Sequence, residues 1–486
     1  MFVLEEATIA DIQAAVAAKI ISYRELVMMY LERIAEVDSC ENGYNSVLEI
    51  NPDALTIAQI MDDERAKGIL KGSLHGIPIL LKDNINTWDK MNTSAGSMAL
   101  AEHFACCADA DIVQSLRNGG AIILGKTNMT EFANWMTQDM PNGYSSRGGQ
   151  VKNPYNSEAD PSGSSTGSAV AVSANLCAVS VGTETHGSII APAFSNGIVG
   201  IKPTAGLLSS FGIIPISNTL DTAGPMARTV KDAAILLTAL KDSAINQFYR
   251  YGIHHMDFNA NNQGKDYTMG LEGASLRGMR IGIYGEKNSE DSEFNTALEE
   301  AVSAIENAGA IVTRDIPNIT PEEPWHYFGK FIAKHEFKRC MDYHLASYSY
   351  SFHSSGRMKS LKDIVDYNKA NSEICLKYGQ TILQECLDES RPIHPEYIKA
   401  LRRRETAISD LDKIFTSNNL DILVGASEHM GIAPLTGFPS GTIPVNIREN
   451  AVPIGLYFIA RRFDELTLIR VMYAVEQLIG KRNTPK

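Results

Sequence analysis

Two segments rich in glycine and serine, Ser162-Gly-Ser-Ser-Thr-Gly-Ser-Ala169 and Gly182-Thr-Glu-Thr-His-Gly-Ser-Ile189, constrain this chain more than any other feature. Between them, the small residues from Ser168 to Asn175 predict a helix, and Ala178-Val-Ser-Val181 predicts a strand. A helix followed by a strand brings the chain back to the sheet edge it left. Ser164 and Ser188, 24 positions apart (188 − 164), are therefore expected at one edge. Gly163, Gly167 and Gly187 permit positive φ and close backbone approach. The amides of Thr185 to Ser188 could form a nest for an oxyanion. Taken alone, the same residues also suit two ordinary turns.

The remainder of the chain alternates between strand and helix signals. Residues 8–37 read as helices, with Ser22-Tyr-Arg-Glu25 forming a capping box. Gly76-Ile-Pro-Ile-Leu-Leu-Lys82 is a short apolar run ending on a charge, as in a buried strand. A helix over 109–118 and a strand over Ala121–Leu124 follow. Residues 137–167 carry Gly, Ser, Asn and Pro, and predict a long loop. A helix is expected over 228–241, a polar surface insertion over 242–275, and a strand–helix–strand unit from Gly278 to Val312. Residues 325–415 read as mostly helical. Strands near 422–425, 442–446 and 453–459 precede a last helix over 464–480. The fold class expected is α/β, with one large mixed sheet.

Composition narrows the function classes. A hydrophobic share of 44% and a charged share of 21% are those of a globular chain. A net charge of −13 argues against binding nucleic acid through phosphate neutralisation. Glu5 and Glu6 stand where a signal peptide would carry positive charge, and no apolar run reaches about 18 residues. The seven cysteines (40, 106, 107, 177, 340, 375 and 386) contain no CxxC pair, so neither a zinc site nor a disulfide framework is suggested. A reduced cytoplasm is the expected location, with no cofactor, no metal, no nucleic acid and no membrane, as a monomer or homodimer.

Two motif matches fail on context. Gly120-Ala-Ile-Ile-Leu-Gly125-Lys126-Thr127 fits the phosphate-binding loop literally, but its four apolar residues are themselves a strand. Gly163-Ser-Ser165-Thr-Gly167 fits a nucleophile elbow, but turn-rich Tyr155 to Pro161 replaces the strand that should precede it. That scheme would also need a histidine, and His254, His326 and His429 sit in no telling context.

The serines need a base, and Lys82 is the better candidate. It closes an apolar strand, where desolvation favours a neutral amine able to accept a proton.

At this point the chain resembles the amidase signature family. The likeness runs through Gly76 to Asp83, Gly120-Ala-Ile-Ile-Leu-Gly-Lys-Thr-Asn-Met-Thr-Glu-Phe132, Ser162 to Ala169 and Gly182 to Ile189. It continues through Pro192-Ala, Gly197-Ile-Val-Gly-Ile-Lys-Pro-Thr204, Asp221-Thr-Ala-Gly-Pro-Met-Ala-Arg228, Gly437-Phe-Pro439 and Val452-Pro-Ile-Gly-Leu456. The resemblance implies a single amidase domain over 1–486. Its core would span about 60–240, 276–317 and 420–480, with a mostly helical insertion over about 320–415. It implies the amidase-signature fold, one mixed sheet covered on both faces by helices. It further implies a Ser–cis-Ser–Lys triad. Ser188 would attack the amide carbonyl, Ser164 in a cis peptide would relay the proton, and Lys82 would be the base. Backbone amides of Thr185, His186, Gly187 and Ser188 would hold the oxyanion, with Ser165 and Gly163 in support. The acyl-enzyme would be hydrolysed by water after ammonia or an amine leaves.

This chain departs from the family's usual pattern at His186, where Gly or Asp is common, and at Ile190, where Arg is common. The His186 side chain is expected to face the acyl pocket, and Glu184 to lack its usual partner. Residues 134–144, with Trp135, Asp139 and Met140, are expected to border the pocket. Gly148-Gly-Gln-Val-Lys-Asn-Pro-Tyr155, Gly212-Ile-Ile-Pro-Ile216, Glu336-Phe-Lys338 and Leu361 to Gln380 are most similar to peptide amidases, which remove a C-terminal carboxamide. The expected substrate is such a peptide amide, or a small aliphatic or aryl amide. The alternatives are the glutaminase component (the A subunit) of a glutamyl-tRNA amidotransferase, which uses the same triad on glutamine, and a catalytically inactive binding scaffold.

Overall fold

The computed structural model describes residues 2–485, apart from 105, 242–264, 285–290, 318, 321, 349–357, 390, 392, 426–430 and 481. Most of the polar insertion expected over 242–275 lies outside the described residues, as do His254 and His429.

Among the described residues eleven strands form one sheet. In chain order they are β1 (Val47–Ile50), β2 (Pro78–Lys82), β3 (Ile122–Thr127), β6 (Val179–Glu184), β7 (Val199–Lys202), β8 (Thr222–Ala227), β9 (Arg280–Tyr284), β10 (Ile311–Ile316), β11 (Ile422–Gly425), β12 (Ser440–Ile447) and β13 (Pro453–Ala460). β4 (Tyr144–Ser145) and β5 (Gly149–Gln150) make a separate small hairpin inside the 137–167 loop. Across the sheet the order is β1-β3-β2-β6-β8-β7-β12-β13-β11-β9-β10. β2 runs parallel to β3 and β6, and β9 parallel to β10 and β11. The remaining pairs are antiparallel, so the sheet is mixed. Every residue of β2, β3, β6 and β8 is buried. A strand covered on both faces reads as a continuous apolar run rather than an alternation. That is why Ile-Pro-Ile-Leu-Leu is legible as a strand.

Helices flank this sheet. Thr166–Ser173 packs on β6 and β2, Val230–Leu240 on β8, and Glu465–Ile479 on β12 and β13. The Ser22 capping box is present: its Oγ accepts from the Glu25 N–H at 3.1 Å, and Glu25 accepts from the Ser22 N–H at 2.8 Å. A second helical group fills the 325–415 region: Lys330–Tyr348, Leu361–Ala370, Thr381–Asp388 and Pro395–Ser417. The last starts with proline in its first turn, where a missing N–H costs no hydrogen bond.

Several boundaries differ from the sequence reading, and β7 and β8 are strands it did not expect; two of the extensions show why. β6 continues three residues past Val181, because Gly182, Thr183 and Glu184 pair with Gly224, Ala223 and Thr222 of β8. β1 joins the sheet from before residue 60, by pairing antiparallel with β3. Both extensions depend on a strand distant in sequence, which local pattern does not reveal.

Candidate active site

Lys82 ends β2, and the chain leaves β6 at Glu184. Because β2 and β6 are parallel and adjacent, both ends lie at one sheet edge. The Thr166–Ser173 helix leads into β6, so Ser164 and Ser165, just before its first turn, meet the same edge. The Gly163–Ser164 peptide is cis. Gly167 is needed for the close approach of this helix to β3. A Cβ there would sit 2.3 Å from the Asn128 carbonyl oxygen and 2.4 Å from that of Ser46.

The sheet edge brings Lys82, Ser164 and Ser165 together, with Ser188 joined to them through its backbone carbonyl. Lys82 Nζ lies 2.8 Å from Ser164 Oγ, 2.9 Å from Ser165 Oγ and 3.2 Å from the Thr183 carbonyl oxygen. All of these residues are buried. Burial pushes the Lys82 amine down to about 7, against the opposing pull of the Glu184 and Asp221 charges. Ser165 Oγ donates to the Thr183 carbonyl at 3.0 Å and accepts from the Thr183 N–H at 3.2 Å. The Ser165 N–H donates to the Ser188 carbonyl at 3.1 Å, which ties the two serine segments to each other.

After β6 the chain turns at Gly187, whose φ of +78° suits glycine. Among the described residues, the N–H groups of Thr185, His186, Gly187 and Ser188 donate to no protein acceptor. The next two amides, of Ile189 and Ile190, donate to Glu184 Oε2 at 2.7 and 3.0 Å. Glu184, expected to lack its usual partner, is held by the turn that follows it. Its charge also acts on two buried lysines, Lys82 and Lys202, the latter pushed down to about 8 by burial.

Beside this edge opens a cleft of about 620 Å³. Thr183, Glu184, Thr185 and Asp221 form its polar side, and Phe211, Ile213, Ile214, Tyr343 and Tyr348 are among its apolar and aromatic walls. No lysine or arginine is among its described lining residues. Asp221 takes a hydrogen bond from Thr185 Oγ1 at 2.6 Å, and burial raises its carboxyl to about 6.

Two expectations are corrected. The His186 side chain does not line the cleft. Its ring stacks on Trp325 (centroids 4.9 Å apart), and Nε2 lies 3.4 Å from Glu323 Oε1. Residues 134–144 do not line it either; Ala133 does. Phe132, Ala133 and Asn134 all have positive φ, and Trp135 is buried edge-on against Trp325. Lys126, from the phosphate-loop look-alike, is fully buried within β3, and donates to the Ile85 carbonyl at 2.6 Å and to Thr93 Oγ1 at 2.8 Å.

Sequence reasoning missed three members of the site. Thr183 acts through its backbone, which no sequence signal marks. Asp221 stood inside a quoted motif without a role. Asn84, two residues after Lys82, donates to Thr183 Oγ1 at 3.0 Å. Among the described residues no cluster of His, Cys, Asp and Glu suits a metal ion, and no helix is long and apolar enough to cross a membrane.

The family profile described as Amidase matches residues 25–469. A probable amidase of Arabidopsis thaliana is 37% identical, over 100% of this chain and 92% of its own length. A putative amidase of Schizosaccharomyces pombe is 35% identical, over 99% of this chain and 87% of its own. The native peptide amidase of Stenotrophomonas maltophilia superposes with a TM-score of 0.89 at 38% identity, covering 99% of both chains. The match spans the sheet, the helices and the site together, and the chain belongs to the amidase family, as an amidase-signature hydrolase acting on amides.

Proposed function

We propose that this enzyme hydrolyses a carboxamide through an acyl-enzyme on Ser188, with Ser164 as proton relay and Lys82 as base. One observation carries the reading: the hydrogen-bond accounting around Lys82. A neutral amine has two N–H groups and one lone pair. The Thr183 carbonyl can only accept, so it takes one N–H. Ser165 has given its proton to Thr183, so it takes the other. The lone pair is left for Ser164. Ser164 can therefore give its proton to the amine and receive one from Ser188 as Ser188 Oγ attacks the carbonyl carbon. The N–H groups of Thr185 to Ser188, free of protein acceptors, suit the oxyanion that forms. The proton returns through Ser164 to the leaving nitrogen, ammonia departs, and water cleaves the ester by the same route.

The cleft supports an acyl group without charge. Glutamine would present an ammonium and a carboxylate, and no described lysine or arginine lines the cleft to meet the latter. A peptide ending in a carboxamide presents neither charge there. The likeness to a peptide amidase supports the same choice over glutaminase. The test is a panel of small amides, peptide carboxamides and glutamine with wild type and Ser188→Ala, together with fluorophosphonate labelling. Peptide carboxamides should be cleaved best, and the label and all turnover should vanish in Ser188→Ala. Turnover surviving in that variant, or no labelling of wild type, would overturn the mechanism. Glutamine as the preferred substrate would overturn the choice of amide.

A further inference from the structure

Behind Thr185 a line of hydrogen bonds runs out of the sheet into the helical group. Thr185 Oγ1 donates to Asp221 Oδ1 at 2.6 Å. Asp221 Oδ2 accepts the N–H groups of Ile216 and Ser217 at 2.7 and 2.9 Å. Ser217 Oγ donates to Glu336 Oε2 at 2.5 Å. The Thr219 N–H reaches the same Oε2 at 3.1 Å, while Thr219 Oγ1 and the Tyr397 hydroxyl donate to Oε1 at 2.6 and 2.9 Å. Glu336 lies on the Lys330–Tyr348 helix, and Tyr397 on the Pro395–Ser417 helix.

Among the described residues the hydrogen-bond partners of both carboxylates are all uncharged. Each is held by neutral donors alone. A half-buried carboxylate at the cleft and a buried one behind it, both hydrogen-bonded only to neutral donors around one short loop, are a costly way to pack a loop. Such groups persist where they fix a geometry that function needs.

We propose that Asp221 and Glu336 are positioning residues that set the direction of the oxyanion-binding amides through the side chain of Thr185. This rests on the reading that the amides of Thr185 to Ser188 hold the oxyanion. Tethering Thr185 Oγ1 fixes the rotation of the residue and so of the peptide that joins it to His186. Glu336 acts one step further out, by clamping the 216–221 loop that carries Asp221. The helical group thus contributes Cys340, Tyr343, His344 and Tyr348 to the cleft and, from the same helix, holds the catalytic turn in register.

The test compares kcat and KM for a good amide substrate in Thr185→Val, Thr185→Ser, Glu336→Gln and Asp221→Asn, with Ser188→Ala as the control. Removing one oxyanion donor costs about 10²–10³ in kcat, so a misdirected donor in Thr185→Val should cost about tenfold to hundredfold, with KM moving less than about threefold. Thr185→Ser keeps the donor hydroxyl and should recover most of that loss. Asp221→Asn keeps one acceptor oxygen but turns an NH2 toward the Ile216 and Ser217 amides, and should resemble Thr185→Val. Glu336→Gln should lower kcat in the same sense. Combined with Thr185→Val, it should add little, because both act through one chain. A folded Thr185→Val with wild-type kcat would overturn the proposal, as would losses that multiply in the double variant. If Asp221→Asn fails to fold, the Thr185 and Glu336 variants still decide. An inactive Ser188→Ala beside an unaffected Thr185→Val would sink this inference alone. An active Ser188→Ala would remove the mechanism beneath it, and the inference with it.

Discussion

Ser165 Oγ donates its proton to the Thr183 carbonyl at 3.0 Å, and so has none left for the Lys82 amine 2.9 Å away. In the proposed neutral state of the amine, Ser165 accepts from the lysine and the lone pair is left to face Ser164. In Ser165→Ala the freed N–H of Lys82 can turn to Ser164 and occupy the very oxygen that must lose its proton. We expect kcat to fall by about 10²-fold or more, the range of a misplaced general base, in a protein that still folds. Steady-state kinetics beside a thermal melt will check it, and a rate near wild type would refute the lone-pair assignment.

The pH dependence follows from the same amine. The proposed base role requires a neutral Lys82, and burial holds the amine at about 7. A lysine is neutral above its pKa, so kcat/KM should rise through about pH 7 and then level off. The free-enzyme profile of kcat/KM reports this group directly. Lys82→Arg should be inactive at every pH, because a guanidinium stays protonated. A flat wild-type profile between about pH 5.5 and 8 would show that another group is the base.

Arg147 bears on stability rather than chemistry. It reaches Asp83, next to Lys82 and fully buried, at 3.3 Å, and also pairs with Glu49. Asp83 keeps hydrogen bonds from the Ser94 and Gly96 N–H groups but loses its cation in Arg147→Ala. Removing one partner of a buried pair costs about 3 kcal/mol or more. Urea unfolding at neutral pH should show a loss of that order; a loss under about 1 kcal/mol would place this pair with ordinary surface pairs.

His186 should matter less than its position suggests. Its backbone lies in the turn after β6, but its ring rests on Trp325 and its partner Glu323 is 40% exposed. Exposed pairs contribute below about 1 kcal/mol. We expect His186→Ala to lower kcat/KM by less than about tenfold, with unequal effects on different amides as Trp325 shifts. A uniform collapse across all amides would show that the side chain acts on the reaction itself.

Much of this molecule was legible in one dimension. The strand ending on Lys82, the helix after Ser165, the strand before Thr185 and the Ser22 cap all follow from short-range periodicity and capping chemistry. The wiring of the site was not. Lys82 meets Ser164 across 82 positions and the Thr183 carbonyl across 101, and Ser217 meets Glu336 across 119. Trp135, expected at the cleft, instead meets Trp325 edge-on across 190 positions (325 − 135), and Ala133 takes the place at the cleft.

By itself the sequence determined which segments become strands and helices, and which side chains stand at their ends, because those properties depend on neighbours a few residues away. Only the tertiary structure decided that β2 lies between β3 and β6, that Lys82 meets Thr183 and Ser165, and that Glu336 is linked to Thr185 through Ser217 and Asp221. Those are contacts between parts of the chain far apart in sequence. They are selected by the burial of a whole sheet and the need to satisfy every polar atom within it, which no local stretch encodes.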